Sequence, residues 1–157
     1  YISYVTGLVK GDLGTSLRTK RPVLTEVQGR YMNTVQLTLL SLTWSVIAGV
    51  LIGVWSGRNR SKWQDYTGMT VAVSGISMPS FWIGFMLIMV FAVKYRLLPT
   101  TGAGSFKNLI LPSITLGVSI AAIIARFTRS SVIEVLKEDY VRTARAKGLR
   151  EKTVIWK

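Results

Sequence analysis

The sequence predicts an all-α, polytopic membrane protein, and the placement of its charged residues is the main reason. No Asp, Glu, Lys or Arg occurs in residues 31–57, 66–93 or 108–125. A membrane-spanning helix needs about 20 apolar residues, with a lower limit near 17. The three uncharged stretches therefore predict three spans, the third close to the minimum length. The hydrophobic content of 49% is ordinary for a soluble domain, so composition alone does not decide the class.

The first 32 residues are polar and rich in turn-forming Gly residues. Pro22 suits the first turn of a helix, and apolar residues recur after it at four-residue spacing. We therefore predict a short amphipathic helix over residues 22–32 that lies near the membrane surface. For residues 1–21, a plain connecting loop is an equally good interpretation.

The first predicted span covers residues 33–57 and carries Gly49, Gly53 and Gly57 at four-residue spacing. Small residues at this spacing allow a neighbouring helix to approach closely, which matters because lipid provides no hydrophobic drive for helix pairing. Gly is also common in membrane helices in general, so the pattern leaves a second interpretation open.

The second predicted span covers residues 66–93 and contains a proline near its centre. Pro79 lacks a backbone N–H and leaves a carbonyl one turn earlier without its helical partner, which protein or water must then satisfy. Three serines flank the predicted kink: Ser74, Ser77 and Ser80. These four residues either line a substrate path or form a kink required for packing, and the sequence slightly favours packing.

The third predicted span covers residues 108–125, and no Pro or Gly interrupts residues 118–147, so the helix is expected to continue into water. Positive charge sets the orientation, because cytoplasmic loops carry an excess of Lys and Arg. Residues 58–65 and 126–157 together hold 12 of the 20 basic residues. This places 126–157 in the cytoplasm and 1–32 outside.

A basic stretch that contains small residues follows the third span. Asp139 is expected to cap a short helix there, and Gly148 suits the position that ends it. Such a helix at the aqueous mouth of a membrane bundle offers another protein a surface to bind. The residues we single out are Asp139, Tyr140, Arg142, Thr143, Ala144, Arg145, Ala146, Lys147 and Gly148.

Residues 139–148 resemble the cytoplasmic coupling loop of ABC importer permeases of the dipeptide, oligopeptide and nickel group. Further stretches resemble the same group in the same order, among them 77–81, 98–102, 111–113 and 126–130. Within this group, the chain most resembles permeases for peptides or glutathione. The chain departs from the general importer pattern at Arg142 and Thr143, which stand where Glu and the first Ala are expected.

This resemblance implies that residues 33–157 are part of a type I ABC importer transmembrane domain with a cytoplasmic coupling helix. It also implies one further span before Tyr1 and two after Lys157, in a bacterial or archaeal plasma membrane. The implied partners are a second permease subunit, two ATP-binding subunits that hold ATP and Mg²⁺, and an extracytoplasmic solute-binding protein. The implied solute is a dipeptide, an oligopeptide or glutathione.

The chemistry encoded in the chain argues against other classes. No P-loop motif is present, and neither paired carboxylates nor a Ser–His dyad suggests a catalytic site. The chain has no Cys and no His, so we expect no resident metal or cofactor. The net charge of +13 is divided among loops between apolar spans and does not form one face for nucleic acid.

One alternative function class remains: a fragment of a secondary transporter or a channel. Ion-coupled transporters usually carry ionisable residues within their spans, and none of the three predicted spans contains one. Unwound backbone can also coordinate Na⁺, so this class stays open. A purely structural membrane anchor fits the spans but leaves residues 139–148 without a role.

Overall fold

The computed structural model describes residues 7, 11–102, 104–150 and 153–154, and these residues are predominantly helical. The helices used below are α1 (Val23–Arg58), α2 (Trp63–Ser77), α3 (Ser80–Leu87, continued by a π-helical segment Ile88–Lys94), α4 (Phe106–Val135) and α5 (Asp139–Ala146). The chain divides into two compact units, Tyr1–Leu39 and Leu40–Lys157. All functional features described below belong to the second unit.

In the first unit, a tight turn precedes α1. Thr15 and Pro22 form an isolated antiparallel bridge, and the Ser16 N–H donates to the Arg21 carbonyl at 2.9 Å. Lys20 closes the turn in the left-handed region, with a φ of 60°. The Val23 N–H donates to the Gly14 carbonyl at 3.0 Å and so connects the turn to the start of the helix.

The separate amphipathic helix predicted over residues 22–32 is wrong, because α1 runs without a break from Val23 to Arg58. The physical reason is that the charge boundary at Arg30 marks where lipid can begin, whereas only a proline or a special backbone angle ends helical hydrogen bonding. Residues 30–40 contain neither. At about 1.5 Å per residue, 36 residues exceed the roughly 30 Å of a bilayer core.

Helices α1 and α4 pack in parallel through two stripes of small residues at four-residue spacing. The stripe on α1 consists of the buried Ser41, Ser45, Gly49, Gly53 and Gly57. The stripe on α4 consists of Ser113, Gly117, Ala121 and Ala125. The residue numbers of the contacting pairs increase together along both helices, from Trp44 with Ser113 to Gly57 with Val132. The glycine prediction is therefore confirmed, and the stripe extends about two turns before Gly49, to Ser45 and Ser41.

The second predicted span is two helices, α2 and α3, which meet at a bend of 104° beside Pro79. They follow α4 in the antiparallel direction: Asp65 contacts Arg129, Gly75 faces Val118, and Gly84 faces Thr115. Ile88 then shares a cavity wall with Leu111. From position 129 to position 111, α4 rises about 27 Å, so the bent segment covers nearly a full bilayer core.

This path identifies the bent segment as a broken span. Because α1 and α4 are parallel, residues 58–62 and 136–138 lie at the same end of the bundle, and the chain between them must return to the opposite end. Helix α4 itself extends from Phe106 to Val135, ten residues beyond the predicted span, as expected from the lack of helix breakers. Counted as one span, the bent segment joins α1 and α4 to give three crossings among the residues that the structure describes.

Candidate functional site

The predicted coupling segment forms helix α5, which begins at Asp139. Glu138, in an extended backbone conformation, occupies the N-cap position without a side-chain capping bond. Asp139 is therefore the first helical residue, and the prediction that it caps the helix is wrong by one position. A carboxylate in the first turn still favours the helix, because it faces the positive end of the helix dipole. The Asp139 carboxylate also lies 3.6 Å from the Arg142 guanidinium.

The end of α5 has the geometry predicted for Gly148. This residue has a φ of 74°, and its N–H donates to the Arg145 carbonyl at 2.9 Å. The Leu149 N–H donates further back, to the Ala144 carbonyl, at 3.4 Å. These two bonds define a Schellman motif, in which glycine adopts the left-handed conformation without strain. The left-handed conformation of Gly148 is thus confirmed.

Helix α5 has one buried side chain on its inner face. Val141 is only 2% exposed, and Ala144, three residues later on the same face, is half-buried. Every other residue of the predicted coupling set is exposed: Asp139, Tyr140, Arg142, Thr143, Arg145, Ala146, Lys147 and Gly148. The helix therefore offers a mainly cationic outer face with Tyr140 within it.

Sequence reasoning did not select Val141, although a signal for it exists. It is the one apolar aliphatic residue larger than alanine within 139–148, in an otherwise charged or small stretch. Such a residue at the centre of a polar helix is the natural inward anchor. Helix α5 therefore has one buried side and one exposed, mainly cationic side.

At the break between α2 and α3, the structure accounts for the carbonyl that Pro79 leaves free. That carbonyl belongs to Gly75, four residues earlier, and Ser119 of α4 donates to it across a distance of 3.4 Å. The prediction that protein or water must satisfy this group is met here by a protein side chain. Pro79 itself has a ψ of 135° and occupies the N-cap of α3, so the helix ends and restarts there instead of merely kinking.

The predicted path residues separate into two groups. Ser74 and Ser77 line a cavity of about 450 Å³ beside α2, whereas Pro79 and Ser80 do not. Both lining hydroxyls donate to carbonyls of their own helix, Ser74 to Thr70 and Ser77 to Val73. The other polar residues in the wall are Asp65, Tyr66, Thr70 and Arg129. A volume of this size falls within the range of small-molecule sites.

An ion pair that the sequence did not reveal closes one side of this cavity. Arg129 donates from Nε to Asp65 Oδ1 at 2.5 Å and from one terminal nitrogen to Oδ2 at 2.7 Å. The Asp65 side chain is 4% exposed and the Arg129 side chain 29%. Nothing local in the sequence connects two residues 64 positions apart, and both lie at the edges of predicted spans.

Comparison with known proteins now identifies the family. Residues 49–157 match the family described as "Binding-protein-dependent transport system inner membrane component". The chain belongs to this family. The resemblance to importer permeases that the motifs suggested is confirmed, and the apolar helices agree with a multi-pass protein of the inner membrane.

Similar curated proteins carry a more specific name. The glutathione transport system permease protein GsiC of Pectobacterium atrosepticum is 51% identical over 154 residues, which are 98% of this chain and 50% of that protein. The proteins of the same name from Escherichia coli strain K12 and Salmonella typhi are 49% and 48% identical over the same shares. The chain spans about half the length of the curated relatives it matches.

Proposed function

We propose that the protein acts as a membrane-spanning permease subunit of an ATP-driven importer and forms part of the path for a peptide-like solute. The observation that carries the proposal is helix α5. It projects an exposed, mostly cationic face, while Val141 on its other face is buried. An isolated helix of eight residues is marginal in water, so burial of one face would stabilise a surface that another protein grips.

The proposed partner at α5 is an ATP-binding subunit, which would hold the ATP and Mg²⁺ that this chain has no motif to bind. Closure of two such subunits would push α5, and the movement would reach the spans through α4, which ends only four residues before α5 begins. A second permease subunit would complete the path, and a solute-binding protein would deliver the solute. Alternating access then takes the form of rigid-body movement between packed helices.

The proposed solute class rests on the relatives, which are named as glutathione transport system permease proteins. Glutathione, a dipeptide and an oligopeptide share amide groups and terminal charges. The cavity beside Ser74 and Ser77 offers hydroxyl groups and the partly exposed Arg129 in its wall, which suits such groups.

Reconstituted uptake tests this function. The complete transporter in liposomes should accumulate labelled glutathione or dipeptide only when ATP is supplied on the side of α5 and the solute-binding protein on the other side. An imposed proton or sodium gradient without ATP serves as the comparison. Accumulation driven by a gradient alone would refute the proposal in favour of a secondary transporter.

Cysteine labelling tests the orientation that the proposal requires. Because residues 1–157 contain no Cys, the single variants Lys20→Cys and Lys137→Cys introduce the one thiol of this segment. In intact cells, a membrane-impermeant thiol reagent should modify position 20 and leave position 137 unmodified until the membrane is permeabilised. The reverse pattern would put α5 outside and would contradict any contact with cytoplasmic ATPases.

A further inference from the structure

The Asp65–Arg129 ion pair joins more elements than a simple contact between two helices. Asp65 lies in the first turn of α2 and also accepts the backbone N–H of Ser61 at 3.1 Å. Ser61 belongs to the turn after α1 and has a φ of 62°, a left-handed conformation that is strained for a residue with a side chain. The carboxylate therefore fixes this turn and the start of α2 at the same time.

Arg129 connects this point to both neighbouring helices. Its carbonyl lies against Gly57 near the end of α1, where an added Cβ would stand 3.2 Å from that oxygen. Its guanidinium reaches in the other direction, to Asp65. From Arg129, α4 continues without a break to Val135, and α5 starts at Asp139. A displacement of α5 is therefore transmitted along α4 to this ion pair before it reaches the contacts of α4 residues that precede Arg129.

The remaining contacts between α2 and α4 differ in kind from the ion pair. They involve small residues such as Ala72, Gly75 and Ala122, together with the single 3.4 Å bond from Ser119. Small apolar surfaces can hold two helices close together, but they have no directional preference and so do not fix the angle between them. A bidentate guanidinium–carboxylate contact fixes both distance and angle.

Stability alone is a poor explanation for burying this pair. Replacing a buried ion pair by well-packed apolar side chains is often neutral or stabilising, because desolvation offsets the attraction. Here the carboxylate is buried, while the guanidinium remains partly exposed at the wall of the 450 Å³ cavity. The same wall contains Ser74 and Ser77, which lie about two and a half and about three turns after Asp65 on α2. The pair thus lies between the coupling helix and the cavity.

We propose that Asp65 and Arg129 are positioning residues that form the mechanical joint between the coupling helix and the cavity beside α2. The inference rests on the proposed function. Movement of α5 and the end of α4 pulls the first turn of α2 through this ion pair, and α2 carries the movement to the cavity wall. Without the pair, α4 moves while α2 stays behind, so ATP is hydrolysed without transport.

The test measures solute taken up per ATP hydrolysed by the complete reconstituted transporter. Asp65→Asn and Arg129→Gln should each lower this ratio by about tenfold, which lies within the range typical for coupling between sites. The exchanged pair, Asp65→Arg with Arg129→Asp, should recover part of the ratio. Glu134→Gln and Arg126→Gln serve as matched controls, because they make the same charge changes at exposed positions of α4 and should keep the wild-type ratio.

A second readout follows the cavity directly. In a Ser77→Cys background, the rate of thiol labelling should change when ATP is added to the transporter, and Asp65→Asn should abolish that change. Arg129→Lys keeps the charge but cannot form the bidentate contact, so it should give an intermediate ratio even if the neutral variants fail to assemble. A merely structural pair would instead reduce the amount of assembled complex in every variant and leave the ratio of the remainder unchanged.

The outcomes separate this inference from the proposed function. A wild-type transporter that accumulates solute without ATP would refute the proposed function. The mechanical joint would be overturned by a different result, in which the wild-type transporter couples uptake to ATP and the variants do so equally well. In that case Arg129→Lys and the assembled neutral variants would have the wild-type ratio of solute to ATP. They would also show the wild-type ATP-dependent labelling at position 77.

Discussion

Helix α4 meets two neighbours in two different ways. Against α1 it packs in parallel, with small residues facing small residues and three glycines of α1 in contact with its backbone and side chains. Trp44 and Ser45 of α1 donate hydrogen bonds to α4 carbonyls, each at 2.9 Å. Against α2 and α3 it packs in the opposite direction, beside a break at Pro79, a cavity and one ion pair.

The difference separates a fixed interface from an adjustable one. Close backbone approach leaves no room for a change in distance, because packed interiors respond to fractions of an ångström. A broken helix beside a cavity has both a hinge point and space to move. We therefore expect α1 and α4 to move as one body, and the change in the path to take place on the side of α2 and α3.

The strongest test of the fixed interface is Gly53→Leu. An added Cβ at position 53 would lie 2.5 Å from the Thr128 Cβ and 2.7 Å from the Ala125 carbonyl oxygen. We expect the free energy of unfolding to fall by about 3 kcal/mol, the upper end for an overpacked core. Thermal unfolding in detergent and the yield of assembled complex measure the loss.

Gly29→Leu provides the control, because it makes the same change in the same helix at a position where an added Cβ meets no atom within 4 Å. This variant should be as stable as the wild type or slightly more stable, since glycine is a poor helix former. Equal losses in the two variants would show that packing against α4 is not the cause.

The next largest effect concerns how movement reaches the adjustable side. Gly148→Val should leave the complex assembled and strongly reduce uptake, because a left-handed backbone costs a residue with a Cβ about 1–2 kcal/mol and the end of α5 would change direction. There is open space around the position, so a clash is not the reason. Gly148→Asn should retain most activity, since Asn tolerates this conformation. Full uptake and normal ATPase stimulation in the valine variant would contradict the role of α5.

A smaller effect is expected in the cavity itself. Ser77→Trp should reduce solute uptake by narrowing the cavity, while the complex assembles normally, because the side chain is exposed within it. Ser80→Trp is the matched control, since Ser80 is exposed but does not line the cavity. Uptake and subunit co-purification are measured on both. Wild-type uptake in the assembled Ser77→Trp complex would exclude this cavity from the path.

The smallest effect is expected at the hinge. Ser119→Ala removes the hydroxyl that donates to the Gly75 carbonyl, and the bond is long at 3.4 Å. We expect a loss of about 0.5–1 kcal/mol in the free energy of unfolding, at the lower end for a hydrogen bond. Ser113→Ala is a useful comparison, because its hydroxyl bonds only within its own helix, to the Ile110 carbonyl. A loss above about 2 kcal/mol for Ser119→Ala would mean that the break is locked and cannot serve as a hinge.

The sequence by itself determined the helical class, the number of crossings and the candidate coupling helix. These follow from local properties: uncharged stretches of sufficient length, glycines at four-residue spacing and a glycine placed to end a helix. It also identified Pro79 as a break and correctly required a partner for the carbonyl that Pro79 leaves free. The sequence-based prediction was wrong at residues 22–32, where the last charged residue before the apolar stretch was taken as the boundary between two helices.

Only the tertiary structure decided which residues meet. The parallel arrangement of α1 and α4 shows that the bent segment between them is a broken span. The antiparallel packing of α2 on α4 brings Asp65 into contact with Arg129, 64 positions later in the sequence. Burial singles out Val141 as the anchor of α5, and the cavity separates Ser74 and Ser77 from Pro79 and Ser80. The physical reason is that spacing along a chain fixes which residues share a helix face, whereas the neighbour of that face depends on how all helices pack together.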